Sequence, residues 1–252
     1  MTPTKLFLGK GVFYYTVHLK RLKIMDIQTY GVYLTDDGSH SIISEQFNES
    51  YHSRHGALKE SLHVFINAGL KALNAKESLN ILEVGLGTGL NVWLTLLENK
   101  NLGKTINFTG IEPYPISEEM AQSLNYPAVA ENSGDSTNQE SFLKIHTEAW
   151  ETPISLNENF TLTKLKTTLE NFSTDQKFDL VYFDAFAPNA QPELWTEAIF
   201  QQVFDLMAPG GIMVTYCAKG TVKRGLKAIG FTVETLEGPP GKREMTRAVK
   251  PA

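Results

Sequence analysis

Apolar and polar side chains alternate near the start of the chain and then take up a helical spacing. Residues 29–47 alternate on both sides of the polar turn Asp36-Asp37-Gly38-Ser39, which predicts a β-hairpin. Residues 56–74 repeat apolar side chains at steps of three and four, which predicts one amphipathic helix with a buried face. The apolar positions are Tyr30, Val32, Leu34, Ile42 and Ile43 in the hairpin and Leu58, Leu62, Phe65, Ile66, Leu70 and Leu73 in the helix.

From residue 79 onward, short apolar runs alternate with helical patterns, as is typical of an α/β domain. Polar residues 130–140 predict a loop between two of these elements. The turn Gly238-Pro239-Pro240-Gly241 is too short for a crossover helix, so the last two strands are expected to be antiparallel. The predicted strands are 79–84, 105–112, 160–164, 178–184, 211–217, 231–237 and 243–249, and the predicted helices are 90–99, 116–125, 141–150, 192–207 and 219–229.

The length of 252 residues suits one α/β domain, in which residues 25–78 extend a core at 79–252. Residues 1–24 differ in composition from the rest, and we expect them to be disordered or to come from a reading frame extended upstream of Met25. The single cysteine, Cys217, excludes a disulfide framework and a cysteine-rich zinc site, as expected of a cytoplasmic protein. No apolar run reaches the ~20 residues of a membrane helix, and Lys10 interrupts the stretch that most resembles a signal peptide.

The formal net charge of −5 conceals an uneven distribution along the chain. Residues 1–25 carry five basic side chains and no acidic ones, and residues 219–252 carry eight basic and three acidic ones. A basic segment on one face could steer RNA towards the protein, and a solvated face without a partner fits the charge equally well. Charge alone therefore leaves both interpretations open.

A glycine-rich turn follows the first strand of the core. Gly85, Gly87 and Gly89 lie between the apolar run 79–84 and a predicted helix, where backbone N–H groups can meet a ligand. A dinucleotide-binding loop has the spacing G-x-G-x-x-G, and here the third glycine comes one residue early. The G-x-G-x-G form after Glu83 instead resembles the first motif of methyltransferases that use S-adenosylmethionine (SAM). A tight turn that serves packing alone is the structural alternative.

Two acidic residues end predicted strands and are candidates for chemistry. Glu112 lies 25 residues after Gly87, where a carboxylate can accept hydrogen bonds from both ribose hydroxyls of a nucleoside. Asp184 follows the apolar run 178–183 at the carboxyl edge of the sheet, where open α/β sheets bind ligands. A solvent-exposed acid is the structural alternative for Glu112, and a helix cap is the alternative for Asp184.

Together with further segments, these features resemble the SAM-dependent methyltransferases that complete 5-methylaminomethyl-2-thiouridine at the wobble position of bacterial tRNA. The most specific stretches are 184–188 (DAFAP), 192–196 (PELWT) and 241–245 (GKREM). The resemblance covers about residues 30–248, and the other matching segments are 36–39, 51–53 with 56–57, 83–91 and 215–216.

The resemblance implies a Rossmann-like class I methyltransferase fold: a mostly parallel seven-stranded sheet with a C-terminal antiparallel hairpin and a small N-terminal hairpin and helix. It implies SAM as cofactor, without FAD or metal, and tRNA bound through its anticodon region. Some relatives are fused to a flavin-dependent oxidase, so we expect a separate oxidase to act upstream. The expected catalytic residue is Asp184, the expected cofactor-binding residues are Tyr51, Glu83, Gly85, Gly87, Thr88, Gly89, Asn91 and Glu112, and the expected substrate-binding residues are Phe186, Pro188, Trp195, Tyr216, Lys242 and Arg243.

The implied reaction is attack by the amine of an aminomethyl uridine on the SAM methyl group. An ordinary carboxylate with a pKa near ~3.9 is too weak to deprotonate an alkylamine near ~10.4, so we expect Asp184 to orient the amine and stabilise its growing charge. Phe186 is the first candidate to hold the base, and Trp195 is more typical of packing. Residues 162–168 contain no acid to meet adenine, which leaves the adenine contact open.

Basic residues near the last helix, Lys219, Lys223 and Arg224, could contact phosphates, although a solvated face is the favoured interpretation. His52 and His55 are three residues apart, but two histidines without a third ligand are weak evidence for zinc.

Two rival functions stay open on this fold. One is a small-molecule methyltransferase or aminopropyltransferase, and the other is a SAM-binding subunit that lacks catalysis.

Overall fold

The computed structural model describes residues 31–130 and 136–252; the predictions for residues 1–24 and for Tyr30 lie outside this part. The predicted hairpin is present as strands β1 (Val32–Leu34) and β2 (His40–Ser44), which pair antiparallel around the turn at 36–39. A further short strand, β3 (Glu49–Ser50), pairs antiparallel with β2. The N-terminal extension is therefore a three-stranded antiparallel sheet rather than a simple hairpin.

The single helix predicted over 56–74 is wrong, because three kinds of helix share this segment. An α-helix, α1 (Ala57–Ser61), continues as a π-helix (Leu62–Asn67) and is followed by a 3₁₀ helix (Leu70–Leu73). The wider π-turn, in which the Ala68 N–H donates to the His63 carbonyl, buries the consecutive residues 64–66. Leu62, predicted on the buried face, is instead 38% exposed.

The core is an eight-stranded mixed sheet in the described residues. Its strands are β4 (Ser78–Val84), β5 (Thr105–Ile111), β6 (Ile154–Asn157), β7 (Phe160–Leu165), β8 (Phe178–Phe183), β9 (Met207–Thr215), β10 (Thr232–Glu237) and β11 (Glu244–Val249). They lie side by side in the order β10-β11-β9-β8-β4-β5-β7-β6. The five central strands are parallel, and the two C-terminal strands form the predicted antiparallel hairpin.

The prediction of seven strands missed β6, which lies at the edge of the sheet and pairs antiparallel with β7. None of its four residues is buried, so its sequence lacks the apolar run that marks the central strands.

Helices cover both faces of this sheet. They are α2 (Leu90–Leu102), α3 (Glu118–Ser123), α4 (Tyr126–Ala130), α5 (Ser136–Thr147), α6 (Glu197–Leu206) and α7 (Gly220–Ile229). Side chains of β8 alternate between the two layers: Leu180 and Tyr182 join the cluster containing α2 and α5, and Val181 and Phe183 join the one containing α6 and α7. In the described residues, no helix has the length and apolar character needed to cross a membrane.

Two further helix predictions need correction. Residues 136–140, predicted as loop, form the first turns of α5, because a run of polar side chains does not by itself prevent a helix. The helix predicted over 192–207 is interrupted: a 3₁₀ helix (Pro192–Trp195) precedes α6. Thr196 separates the two in an extended conformation, and its hydroxyl caps α6 by accepting the Ile199 N–H.

The topology brings the predicted site together at one edge of the sheet. Strand β4 lies between β5 and β8, so chain connections run to opposite sides from this point. The glycine turn after β4, Glu112 after β5 and Asp184 after β8 therefore meet at adjacent strand ends. Open α/β sheets bind their ligands at such a reversal point.

The N-terminal turn depends on the Asp37 carboxylate. It accepts hydrogen bonds from the Ser39 hydroxyl at 2.5 Å and from the Thr35 hydroxyl, the Ser39 N–H and the Lys59 N–H at 2.8–3.0 Å. Burial raises the pKa of Asp37, but these hydrogen bonds outweigh it and hold the pKa below its ordinary value. The contribution to stability is therefore complete above pH ~4, and it is lost as the pH falls through the folded-state pKa.

We expect Asp37→Ala to lower the free energy of unfolding at pH 7 by about 1–2 kcal/mol, because four donors lose a charged acceptor. Urea denaturation measures the change. Asp36→Ala is the matched control, since the exposed pair of Asp36 with His55 contributes at most ~1 kcal/mol. Equal losses in both variants would contradict the role of Asp37.

Candidate active site

A cavity of about 500 Å³ lies over the carboxyl ends of β4, β5 and β8, and residues 46–54 of the extension form part of its wall. The structure brings many of the predicted site residues to it. Those lining the cavity are Tyr51, Gly85, Gly87, Thr88, Asn91, Glu112, Asp184, Phe186, Tyr216 and Lys242. Glu83, Gly89, Pro188, Trp195 and Arg243 do not line it.

The glycine turn is shaped by close contacts on two sides. Gly85 has a φ of +89°, and a Cβ there would lie 2.6 Å from the Asp184 carbonyl oxygen. Gly87 has a φ of +50°, and a Cβ there would lie 3.0 Å from the Tyr51 ring. Side chains at these positions would force the turn away from β8 and from the extension. The glycines thus hold the turn between the catalytic candidate and the N-terminal sheet.

Asn91, in the first turn of α2, joins two buried carboxyl groups. Its Nδ2 donates to Glu83 Oε1 and to Asp184 Oδ2, both at 2.8 Å. Burial raises the pKa of Asp184 to about 7, against the opposing effect of the Asn91 hydrogen bond. Burial, followed by the nearby Asp184 charge, raises the pKa of Glu83 well above its ordinary range. Two oxygens of this network, Glu83 Oε2 and Asn91 Oδ1, are buried without a hydrogen-bond partner.

Glu112 is held by the backbone around it. Its two carboxyl oxygens accept the Gly87 N–H at 3.0 Å and the Tyr114 N–H at 2.8 Å. Burial raises its pKa, and these two hydrogen bonds partly offset the rise. Each oxygen keeps a further lone pair, so the carboxylate can also accept from a ligand hydroxyl. The residue therefore ties the glycine turn to the end of β5 and faces the cavity.

These features fit SAM, whose amino and sulfonium groups carry positive charge. Glu83 and Glu112 are buried beside the glycine turn, and Asp184 lines the cavity next to it. The orphaned acceptors lack donors such as an ammonium group would supply. Beyond β7, residues 168–170 reach the cavity wall and include Glu170. An acid therefore follows the third parallel strand, two residues beyond the segment 162–168 in which the sequence analysis found none.

The extension contacts the glycine turn directly through His52. Its Nε2 lies 2.8 Å from the Thr88 hydroxyl, and burial lowers its pKa to about 4, so the ring is neutral near pH 7. His55 instead contacts Asp36 at 3.1 Å. The two histidines thus have separate partners, and among residues 31–130 and 136–252 no three metal-binding side chains converge.

Lys242 and Glu60 form a contact inside the cavity that sequence analysis missed. Lys242 Nζ lies 2.5 Å from Glu60 Oε1 and 3.9 Å from the centre of the Tyr216 ring. The other Glu60 oxygen accepts the Ser53 N–H, and the Tyr216 hydroxyl donates to the Ala185 carbonyl. An acidic residue beside the apolar face of the helical segment was the available signal for Glu60.

Aromatic side chains line the mouth of the cavity. The Phe186 ring lies 4.8 Å from Phe47 and 5.1 Å from Tyr51. Trp195 faces the core instead: its ring contacts Phe183, and its Nε1 donates to the Phe186 carbonyl. Trp195 therefore supports the aromatic wall from behind.

Much of the C-terminal positive charge is used within the fold. Lys223 pairs with Glu244, Arg247 pairs with Glu234, and Lys250 donates to carbonyls at the end of α6. Lys219 donates to Asn189 on the loop after β8. Arg243 also contacts Glu244, at 3.3 Å, but its side chain is 93% exposed. The basic segment is thus only partly available to an external partner.

Several known proteins are similar to this chain in sequence and in architecture. A family described as S-adenosyl-L-methionine-dependent methyltransferase matches residues 136–251. The tRNA 5-methylaminomethyl-2-thiouridine biosynthesis bifunctional protein MnmC of Actinobacillus pleuropneumoniae is 30% identical over 243 residues, which cover 86% of this chain and 35% of that protein. The MnmC of Chromobacterium violaceum is 31% identical, over 81% of this chain and 32% of its own length. The chain thus spans about a third of these curated relatives.

Among solved structures, MNMC2 from Aquifex aeolicus superposes with a TM-score of 0.70 at 25% identity. The match covers 88% of this chain and 71% of that one. These findings confirm the expected Rossmann-like methyltransferase fold and the resemblance on which it rested.

The raised pKa of Asp184 predicts how stability depends on pH. The folded protein keeps a proton that the unfolded chain releases near pH ~4, so stability falls as the pH rises from there to about 7. We expect Asp184→Asn to reduce this decline by up to about 1.4 kcal/mol per pH unit. Urea denaturation between pH 5 and 8 measures it, with the exposed Asp205→Asn as control. An unchanged slope in Asp184→Asn would contradict the assignment.

Proposed function

We propose that this chain, a methyltransferase that uses SAM, methylates the primary amine of 5-aminomethyl-2-thiouridine at the wobble position of tRNA. The observation that carries the proposal is the Asp184 carboxyl, which faces the cavity beside the glycine turn at the reversal point of the sheet. The curated relatives are named for the biosynthesis of 5-methylaminomethyl-2-thiouridine in tRNA, and this reaction would complete that nucleoside.

Residues on one side of the cavity would hold SAM. Asn91 would offer its unpartnered oxygen to the amino group, Glu112 would offer its carboxylate to the ribose hydroxyls, and residues 168–170 would lie near the adenine. Glu83 does not line the cavity and would act by holding Asn91 in place, which corrects its expected role as a direct cofactor contact. Bound there, SAM supplies an electrophilic methyl group on a sulfonium that leaves as a neutral thioether. Because Glu112 also binds the Gly87 N–H, the turn and the ribose contact are organised together.

Asp184 would prepare the acceptor amine. In water the amine is an ammonium, which must lose a proton before its lone pair can form a bond to carbon. With a pKa of about 7, Asp184 is a much stronger base than an ordinary carboxylate and can take that proton. With this pKa, Asp184 can release the proton to solvent, and its carboxylate then stabilises the nitrogen that becomes cationic again as the nitrogen–carbon bond forms. The raised pKa supports a proton-accepting role for Asp184 in this proposal, beyond orientation of the amine.

The aromatic mouth would hold the uracil ring. A base inside an anticodon loop can be reached once it turns out of its stack, and aromatic side chains then replace the lost stacking. Phe186 is next but one to Asp184, and its contacts with Phe47 and Tyr51 build one continuous aromatic surface. We place the base on this surface, with its aminomethyl group directed at Asp184.

The proposed substrate is a tRNA, so we propose that the protein acts in the cytoplasm. A separate oxidase that acts before this methylation stays a prediction.

We expect wild-type protein to convert tRNA bearing 5-aminomethyl-2-thiouridine to the methylaminomethyl form, as measured by nucleoside mass spectrometry. Asp184→Asn should lower kcat/KM by at least about 100-fold, because the base and the charge-stabilising group are both lost. Its affinity for S-adenosylhomocysteine should stay within about threefold, which separates chemistry from folding. Methylation at the wild-type rate in Asp184→Asn would exclude this role, and turnover of free putrescine without RNA would favour an aminopropyltransferase.

The Glu112 contact predicts a different effect. Glu112→Gln should weaken S-adenosylhomocysteine binding by about 10-fold or more in calorimetry, since the charged acceptor is lost and the amide opposes one backbone N–H. Glu118→Gln, an exposed change at the start of α3, should bind like wild type. Equal affinity in the two variants would remove Glu112 from the cofactor site.

A further inference from the structure

The ammonium group of Lys242 lies in a small cage formed by Glu60 and Tyr216. Glu60 is 6% exposed and presents one oxygen to Lys242 Nζ at 2.5 Å, while the Tyr216 ring lies beneath the same nitrogen at 3.9 Å. A carboxylate and an aromatic face are the two groups that bind alkylammonium ions most effectively in proteins. The chain has therefore built a binding site for an ammonium group.

This cage opens on the cavity that contains Asp184. Glu60, Tyr216, Lys242 and Asp184 all line it, and the Tyr216 hydroxyl donates at 2.8 Å to the carbonyl of Ala185, the residue after Asp184. An ammonium held by Glu60 and Tyr216 would thus lie on the same side of the sheet edge as the expected proton acceptor. The Lys242 side chain comes from the turn before β11 and is 32% exposed, so it reaches the cage from the rim.

We propose that Glu60 and the Tyr216 ring form the subsite that first binds the ammonium of the acceptor, and that Lys242 occupies this subsite until the acceptor enters. The inference rests on the proposed function, because it assigns the entry site of that acceptor. It concerns a primary alkylammonium attached to a nucleobase, the chemical form of an aminomethyl uridine in water.

Charge balance supports an exchange of one ammonium for another. Removing Lys242 alone would leave the nearly buried Glu60 carboxylate without a counter-ion, which is strongly unfavourable. An incoming ammonium restores the pair as Lys242 leaves, so Glu60 remains neutralised throughout. Lys242 then moves towards the rim, where its side chain is already 32% exposed and water can hydrate the ammonium group. From the cage, the amine passes to Asp184 for deprotonation.

Steady-state methylation of tRNA bearing 5-aminomethyl-2-thiouridine tests the subsite. Glu60→Gln keeps the size of the side chain and an acceptor for the Ser53 N–H, but it removes the charge. We expect its KM for tRNA to rise at least 10-fold, with S-adenosylhomocysteine affinity unchanged. Glu45→Gln, an exposed change on the same extension, is the matched control and should keep the wild-type KM. An unchanged KM in Glu60→Gln would overturn the subsite.

Two further variants test the ring and the occupant. Tyr216→Leu should raise KM several-fold, and Tyr216→Phe, which keeps the ring face, should recover most of that loss. Lys242→Met removes the competing ammonium and leaves Glu60 without its counter-ion, so KM for tRNA should fall, with the same salt dependence as wild type; an unchanged KM would contradict the role of Lys242 as occupant. A higher KM together with a shallower salt dependence would make Lys242 a phosphate contact and overturn its role as occupant.

Failure of this inference is distinguishable from failure of the proposed function. If wild-type protein methylates the tRNA and Glu60→Gln does so with the same KM, the subsite is wrong and the function stands. If wild-type protein binds S-adenosylhomocysteine but methylates no RNA, the proposed function fails, and the assignment of the acceptor subsite fails with it.

Discussion

The site depends on one side-chain amide, that of Asn91, which lies between two buried carboxyl groups. Glu83 is the second-last residue of β4, and Asp184 directly follows β8. Because these strands pair in parallel, the two carboxyl groups lie close together. Two charged carboxylates there would repel each other in a poorly solvated space, and the Asn91 N–H groups and retained protons reduce that cost. The same burial that destabilises the charges makes Asp184 basic enough to take a proton. Function and local instability have one physical origin.

The N-terminal extension forms part of the site and contacts the glycine turn. His52 contacts Thr88 in the glycine turn, Tyr51 lies against Gly87, and Glu60 binds Lys242 from the turn before β11. These three contacts join segments that are far apart in the chain. The change from α-helix to π-helix after Ser61 belongs to the same arrangement, since it turns three consecutive apolar residues into the core while Glu60 stays at the cavity.

Charge is distributed in a way that suits a cationic group inside and an anionic molecule outside. The cavity gathers acids around the glycine turn, which favours the positive groups of SAM and an acceptor amine. Several basic side chains of the C-terminal segment are paired within the fold, and Arg243 remains exposed near the rim. An acidic protein can therefore be proposed to act on tRNA without a broadly basic surface, provided that contacts are confined to the rim.

The sequence by itself determined the α/β order, the antiparallel end of the sheet and the acids at the strand ends, because these follow from apolar runs, turn residues and glycine spacing that act locally. Ten of the fifteen site residues expected from the sequence and its family resemblance line the cavity. The sequence did not reveal β6, whose side chains are all at least partly exposed, or the π-helix, whose register is decided by packing against the core. It also did not reveal the Asn91 bridge, the Glu60–Lys242 pair or the inward position of Trp195. Those contacts join residues up to 182 positions apart, and only the tertiary structure decides which distant side chains share a desolvated space.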